Sequence, residues 1–184
     1  ITVDNSRKDI THISADFTFW GGIYRDVWLI TTSEQHFNLL NHGSDGIFIS
    51  TPHVDEKEAT IEIRSEITND ATEKATLEVI HQIYDPQGKL QQTLKQRLSV
   101  KAKRAQKTST IGQPQLWSPE SPRLYEIVTT LRNPKTGMEL DRRTHKTGFR
   151  WFSFDGEKGF SLNGKLYKLR GVNRHQDQAP VGVA

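Results

Sequence analysis

The alternation of side chains along residues 59–68 restricts this chain more than any other feature. Ala59, Ile61, Ile63, Ser65 and Ile67 fall on one face, and Thr60, Glu62, Arg64, Glu66 and Thr68 on the other. Side chains of a strand point alternately to its two faces, so the pattern is a strand with one buried and one wet side. Residues 75–84 repeat it with Leu77, Val79 and Ile83 on the apolar face, and residues 47–51, Leu94 with Leu98 and Val100, and residues 105–111 add further strands. Asn69-Asp70 and Asp85-Pro86-Gln87-Gly88 supply turns between them, because Asp, Asn and Gly accept the backbone angles a reversal requires. Residues 124–131 fit two periods: Leu124, Ile127, Val128 and Leu131 form a helical stripe, while Tyr125, Ile127, Thr129 and Leu131 alternate. The β-branched run Ile127-Val128-Thr129-Thr130 favours the strand, and Asn133-Pro134-Lys135-Thr136-Gly137 connects it to residues 139–149. About seven short strands at spacings of roughly 8–12 residues predict an all-β fold, an immunoglobulin-like β-sandwich over residues 34–149, with flanking strands from neighbouring domains.

Composition narrows the function. The net charge is +3 with the signs interleaved, a poor electrostatic match to nucleic acid, and the densest basic run (Lys101, Lys103, Arg104 and Lys107) reads as a solvated turn. No apolar run reaches the roughly 18 residues that span a bilayer, so neither nucleic acid nor membrane is expected as a partner. With no cysteine, disulfides and thiolate metal sites are excluded. The seven histidines lack metal-ligand spacing, and no metal site or cofactor is expected within the chain. The start on Ile1 and the close on Gly182-Val183-Ala184 read as the ends of a segment of a longer polypeptide, whose compartment they leave open.

The last thirty or so residues change character. Gly159-Phe160-Ser161-Leu162 and Lys165-Leu166-Tyr167-Lys168 flank Asn163-Gly164, a strong hairpin signal. Beyond it, Tyr167, Leu169, Gly171, Asn173 and His175 alternate onto one face whose polar groups gather at its C-terminal end. Chemistry sits in that place on a parallel barrel strand, and such a strand needs partners outside this chain.

Three stretches carry a family resemblance. Gly21-Gly22-Ile23-Tyr24-Arg25-Asp26-Val27-Trp28-Leu29 resembles the end of the sugar-binding jelly roll of glycoside hydrolase family 2. Leu116-Trp117-Ser118-Pro119-Glu120-Ser121-Pro122-Arg123-Leu124-Tyr125 is similar to a motif near the end of that family's immunoglobulin-like domain. Gly148-Phe149-Arg150, Leu162-Asn163-Gly164-Lys165 and Arg170-Gly171-Val172-Asn173-Arg174-His175 resemble the start of its barrel. The resemblance implies residues 1–33 as the end of the jelly roll, 34–149 as the sandwich, and 150–184 as linker, hairpin and first strand of a (β/α)8 barrel. It also implies that the jelly-roll and barrel domains of the parent chain are the sandwich's partners, and that the parent hydrolyses terminal β-linked sugars with retention. β-Galactosidase comes first and β-glucuronidase is the alternative. A carbohydrate-binding or adhesive sandwich without catalysis is the rival from another class.

Site residues follow from the same resemblance. His175 and Asp177 are the substrate-binding candidates: an imidazole and a carboxylate can exchange hydrogen bonds with sugar hydroxyls. His175-Gln176-Asp177 departs from the histidine-glutamate-histidine of the best-known galactosidases toward the histidine-glutamate-aspartate of glucuronidases. A sugar-contacting aspartate lent by the jelly roll falls on Asp4 or Asp9. No catalytic residue is expected here, because retaining hydrolysis needs two carboxylates about 5–5.5 Å apart and the family's pair stands on later barrel strands. The resemblance leaves open whether the parent uses a divalent or monovalent cation. Arg25 and Asp26 read as an ion pair at a domain junction, and Trp117 with Pro119 and Pro122 as a structural corner.

Overall fold

In a computed structural model of the chain, residues 2, 23, 26–71, 76–99 and 101–173 are described, and the regular structure among them is all strand. The chain divides into two compact units, Ile1–Thr31 with Leu169–Ala184, and Thr32–Lys168. In the first unit Val27, Trp28, Leu29, Ile30 and Val172 are exposed. Among the described residues the strands all lie in the second unit: β1 (Gln35–Phe37), β2 (Ile47–Val54), β3 (Glu58–Asn69), β4 (Leu77–Tyr84), β5 (Leu90–Leu98), β6 (Arg104–Gly112), β7 (Tyr125–Arg132), β8 (Glu139–Thr147), β9 (Phe152–Asp155), β10 (Gly159–Leu162) and β11 (Lys165–Leu166).

β3 is the centre of the first sheet. β2 and β6 run antiparallel along it, and β1 pairs with its last residues, Gln35 opposite Asn69 and Phe37 opposite Ile67. The end of β1 and the start of β2 meet at Glu66: the Asn38 N–H donates to the Glu66 carbonyl at 2.9 Å, and the Glu66 N–H donates to the Gly46 carbonyl at 2.8 Å. A Cβ on Gly46 would stand 2.8 Å from the Asn38 backbone, and its φ is +81°, so only glycine fits this crossing. The second sheet runs β5-β4-β7-β8, antiparallel throughout.

The inward faces of the two sheets form one core. Ala59, Ile61, Ile63, Ser65 and Ile67 of β3 are buried as their alternation requires, and face Leu77, Val79, His81 and Ile83 of β4 and Tyr125, Ile127, Thr129 and Leu131 of β7 across the sandwich. The segment with two periods is therefore a strand. Backbone and side-chain amides join the sheets at their edges: the Phe37 N–H donates to Asp141 Oδ2 at 2.9 Å, and Gln92 Nε2 donates to the Thr110 carbonyl at 2.7 Å. Tyr125 starts β7, and its hydroxyl accepts from the Gln115 N–H at 3.0 Å, as in the tyrosine corner of immunoglobulin-like domains.

Some strands differ from expectation. β1 and β9 are too short for an alternation to show, and the start of β5 at Leu90 rather than Leu94 is hidden because Gln92 and Gln96 hold inward positions and Leu90 is exposed. Ala75 and Val100 lie outside the described residues. Residues 167–173 form no strand among the described residues, although the Tyr167 N–H still donates to the Phe160 carbonyl at 2.9 Å.

His81 is a titratable group inside the core. It is fully buried opposite Thr129 in the β4–β7 ladder, with Nδ1 3.0 Å from the threonine Oγ1. Burial, followed by the charge on Lys107, lowers its pKa from 6.5 to about 4. The unfolded chain therefore takes up a proton near pH 6.5 that the folded chain refuses until about pH 4. Stability is full above the unfolded value and declines as pH falls through that window, by about 3 kcal/mol in all. Urea titrations of the 184-residue chain from pH 7 to pH 4.5 should show this decline, and His81→Leu should flatten it. An unchanged slope in the variant would assign the decline to other groups.

Candidate functional site

The stretch from Leu116 to Tyr125 builds a corner that ties the sandwich to the β9–β11 hairpin. Leu116 forms a parallel bridge with Phe149, and the Trp117 N–H donates to the Phe149 carbonyl at 2.8 Å. Phe149 is fully buried and meets the Tyr125 ring edge-on at 4.7 Å. β8 stops at Thr147 because the chain must then pass beneath the indole: a Cβ on Gly148 would lie 2.7 Å from the Trp117 Cβ. The Arg150 guanidinium lies 4.7 Å from the ring centroid of Trp117, a cation–π contact that occupies the indole. Pro119 lies in a tight turn in which Ser118 and Ser121 exchange backbone hydrogen bonds of 3.0 and 3.1 Å.

Asn163 connects this corner to the hairpin. Its φ is 49° and that of Gly164 is 74°, the left-handed pair that a two-residue turn uses. In that conformation its side chain reaches two backbones at once: Nδ2 donates to the Trp117 carbonyl at 3.0 Å, and Oδ1 accepts from the Trp151 N–H at 3.2 Å. Its own N–H donates to the Trp151 carbonyl at 2.9 Å. Tyr167 adds a further tie, its hydroxyl donating to Glu120 Oε1 at 3.1 Å. The backbone N–H of Glu120, then the Ser118 and Tyr167 hydroxyls, hold that carboxyl below its usual pKa. The Asn163-Gly164 turn, Gly148 and Trp117 each stood out in the sequence, but the contacts of Gly148 and Asn163 with Trp117, 31 and 46 residues away along the chain, carry no local signal.

The residues singled out for substrate lie elsewhere. His175, Asp177, Asp4, Asp9 and Arg25 fall outside the described residues, while Asp26 is described. Several acidic and imidazole groups among the described residues are engaged structurally. Glu78 is buried and receives Arg132 Nε at 2.7 Å with Arg97 at 3.6 Å, a ladder across β5, β4 and β7. Glu66 accepts from Asn41 Nδ2 at 3.0 Å, which with Arg64 and Arg104 lowers its pKa. Glu62 accepts from Gln106, and His145 Nε2 stands 2.8 Å from Asp45 Oδ2. No group of three His, Asp or Glu among the described residues could share a metal ion, and no helix is long and apolar enough to cross a membrane. Two open clefts, of about 520 and 720 Å³, lie beside Tyr84 and Pro122 and beside Glu66 and Lys103. Each is lined by two acidic residues, Asp85 with Glu126 and Glu66 with Asp70, of which Asp85 accepts from the Gln87 and Lys89 N–H groups of its own turn and Glu66 is held by Asn41, Arg64 and Arg104.

The sandwich of two four-stranded sheets, closed by this aromatic corner, is an immunoglobulin-like domain by its fold, and comparison with known proteins gives the family. The profile of the glycosyl hydrolases family 2 matches residues 45–150, more than half of the chain, and the chain belongs to that family. It is similar to a beta-glucuronidase of Bacteroides fragilis, 35% identical over 98% of this chain and 26% of that protein. A beta-galactosidase of Bacteroides ovatus is 34% identical over 89% of this chain and 19% of that protein. The solved structure of Bacteroides uniformis beta-glucuronidase 2, covalently bound to cyclophellitol-6-carboxylate aziridine, matches with a TM-score of 0.88 and 60% identity, over 98% of this chain and 22% of that one. The chain thus spans about a fifth to a quarter of the length of these relatives.

If the corner holds hairpin and sandwich together, damage to it should unfold both. Asn163→Ala removes two hydrogen bonds and leaves the Trp151 N–H unpaired, at a cost of about 2 kcal/mol. Gly148→Ala drives a methyl into the indole, at a cost of about 1–3 kcal/mol. Each should lower the urea midpoint of the whole chain in a single transition. A midpoint unchanged in both variants would leave the corner without energetic weight.

Proposed function

We propose that this chain is the sandwich segment, with its flanks, of a retaining exo-β-glycosidase whose substrates are terminal β-glucuronides. The observation that carries this reading is the 60% identity, over nearly the whole chain, to a beta-glucuronidase captured in covalent linkage to a carboxylate-bearing cyclophellitol. Covalent capture fits double displacement, in which one carboxylate forms a glycosyl-enzyme intermediate that water then resolves. His175-Gln176-Asp177 supports the same sugar, since it resembles the glucuronidase form of the motif. In this reading residues 1–33 end a jelly roll, residues 34–149 form the sandwich, and residues 150–184 lead into the barrel, where His175 and Asp177 bind sugar hydroxyls. β-Galactosidase is the second reading, favoured by the 34% identical relative from Bacteroides ovatus.

The test is a comparison of kcat/KM for an aryl β-glucuronide and the corresponding β-galactoside in the full-length parent. A preference of at least about tenfold for the glucuronide is expected, because a site built for a charged group rejects the analogue lacking it. A preference for the galactoside would replace the first reading by the second. The 184-residue chain alone should hydrolyse neither. In the parent, His175→Ala should lower both kcat and kcat/KM at least about tenfold, or about 1.4 kcal/mol, as for a contact that strengthens in the transition state. Unchanged kinetics per folded molecule would remove His175 from the site.

A further inference from the structure

The sequence holds a single Asn-Gly pair, Asn163-Gly164; its other asparagines precede Ser6, Leu39, His42, Asp70, Pro134 and Arg174. Asparagine is thermolabile because the nitrogen of the next peptide can attack its side-chain carbonyl. A glycine in that next position has no Cβ to shield the nitrogen, and Gly164 is exposed. In the folded chain two bonds hold the Asn163 carboxamide in place: Nδ2 donates to the Trp117 carbonyl at 3.0 Å, and Oδ1 accepts from the Trp151 N–H at 3.2 Å. Both holders are themselves fixed. Trp151 packs against the core and also takes the Asn163 N–H on its carbonyl, while the Trp117 N–H is bonded to Phe149. Turning the carboxamide onto the Gly164 nitrogen breaks both side-chain bonds at once.

We infer that Asn163 is a deamidation site which the Trp117 corner guards, and whose conversion releases the hairpin from that corner. When the turn opens, the Gly164 nitrogen gives up its proton and bonds to Asn163 Cγ. The bond from Cγ to Nδ2 breaks, ammonia leaves, and a five-membered succinimide remains. Water then opens the ring: hydrolysis at Cγ gives aspartate, and hydrolysis at the backbone carbonyl gives isoaspartate. Water is the only co-reactant. Neither product restores the contacts of asparagine. An ionised carboxylate only accepts hydrogen bonds, so the Trp117 carbonyl loses its donor and faces a negative charge. Isoaspartate adds a methylene to the main chain of a turn that sets Leu162 opposite Lys165. An opening that would otherwise reverse is thereby made permanent, and the site records how often the corner opens. This is a property of the scaffold and holds for either sugar specificity of the parent.

The test ages the wild-type 184-residue chain in warm, mildly alkaline buffer, with and without urea above its unfolding midpoint. Peptide mass spectrometry follows asparagine, aspartate and isoaspartate at position 163. A synthetic peptide of residues 160–167, aged in the same two buffers, gives the unguarded rate. In native buffer the chain should convert at least about tenfold more slowly than the peptide, because attack must wait for a local opening. In urea the two should convert alike. Gly148→Ala, which disturbs the indole without touching the Asn-Gly pair, should convert faster than wild type in native buffer. The converted chain, separated by its added negative charge, should unfold at a lower urea midpoint than unaged chain, and Asn163→Asp should reproduce that loss. Equal rates for native chain and peptide would overturn the inference, as would a Gly148→Ala chain that converts no faster. Asparagine that persists at 163 in the unfolded chain would show that the site does not exist. A converted chain with an unchanged midpoint would contradict the release of the hairpin. The rates and the midpoint of the converted chain need no substitution at 163, so they decide the matter even where Asn163→Asp does not fold.

Discussion

The contact on which the rest depends is the bridge between Leu116-Trp117 and Gly148-Phe149. It joins the segment before β7 to the one after β8, so the hairpin formed by those two strands is closed at its base. Phe149 brings the closure into the core against Tyr125, whose hydroxyl accepts from the Gln115 N–H. Gly148 is the steric condition for it, since any side chain there meets the indole. Two outward ties, Asn163 to Trp117 and Tyr167 to Glu120, then start from this closure. The tryptophan-proline motif is therefore structural: its ring is engaged by Arg150 and Gly148, and its backbone is the rail to which the next element is fixed.

Polar groups inside and on the sandwich serve the same purpose. His81 and Thr129 pair across β4 and β7, and their hydrogen bond ties together the two central strands of the second sheet in this register. Glu78 does so from the outer face, pinned between Arg97 and Arg132 on the neighbouring strands. Gly46 and Glu66 set where β1 leaves β3 and β2 joins it. These groups keep the sheets in register and orient the corner, and none is arranged to attack a bond.

Most of the architecture was legible because it is written with a period of two. β3 could be read residue by residue, and β7 was separable from a helix by the β-branching of residues 127–130. Short strands escaped, since three residues in β1 cannot display a period, and so did His81, a polar side chain at an inward position of β4. The corner was half legible. Trp117, Gly148 and Asn163 stood out as motifs, but which backbone each reaches is decided by the tertiary fold. The hairpin is bound to the corner through its turn asparagine.

Amide hydrogen exchange on the 184-residue chain is the most direct test of whether sandwich and hairpin are one cooperative body. The informative amides are those of Trp117, bonded to Phe149, of Asn163, bonded to Trp151, and of Tyr167, bonded to Phe160, each read against Ile63 and Ile127 in the core. If the corner carries the structure as described, Trp117 and Asn163 exchange in the same slow class as the core, Tyr167 follows closely, and all respond together to low urea. Exchange of Asn163 and Tyr167 at nearly unfolded rates, while Ile63 and Ile127 stay protected, would show that the hairpin opens on its own and that the corner does not hold it.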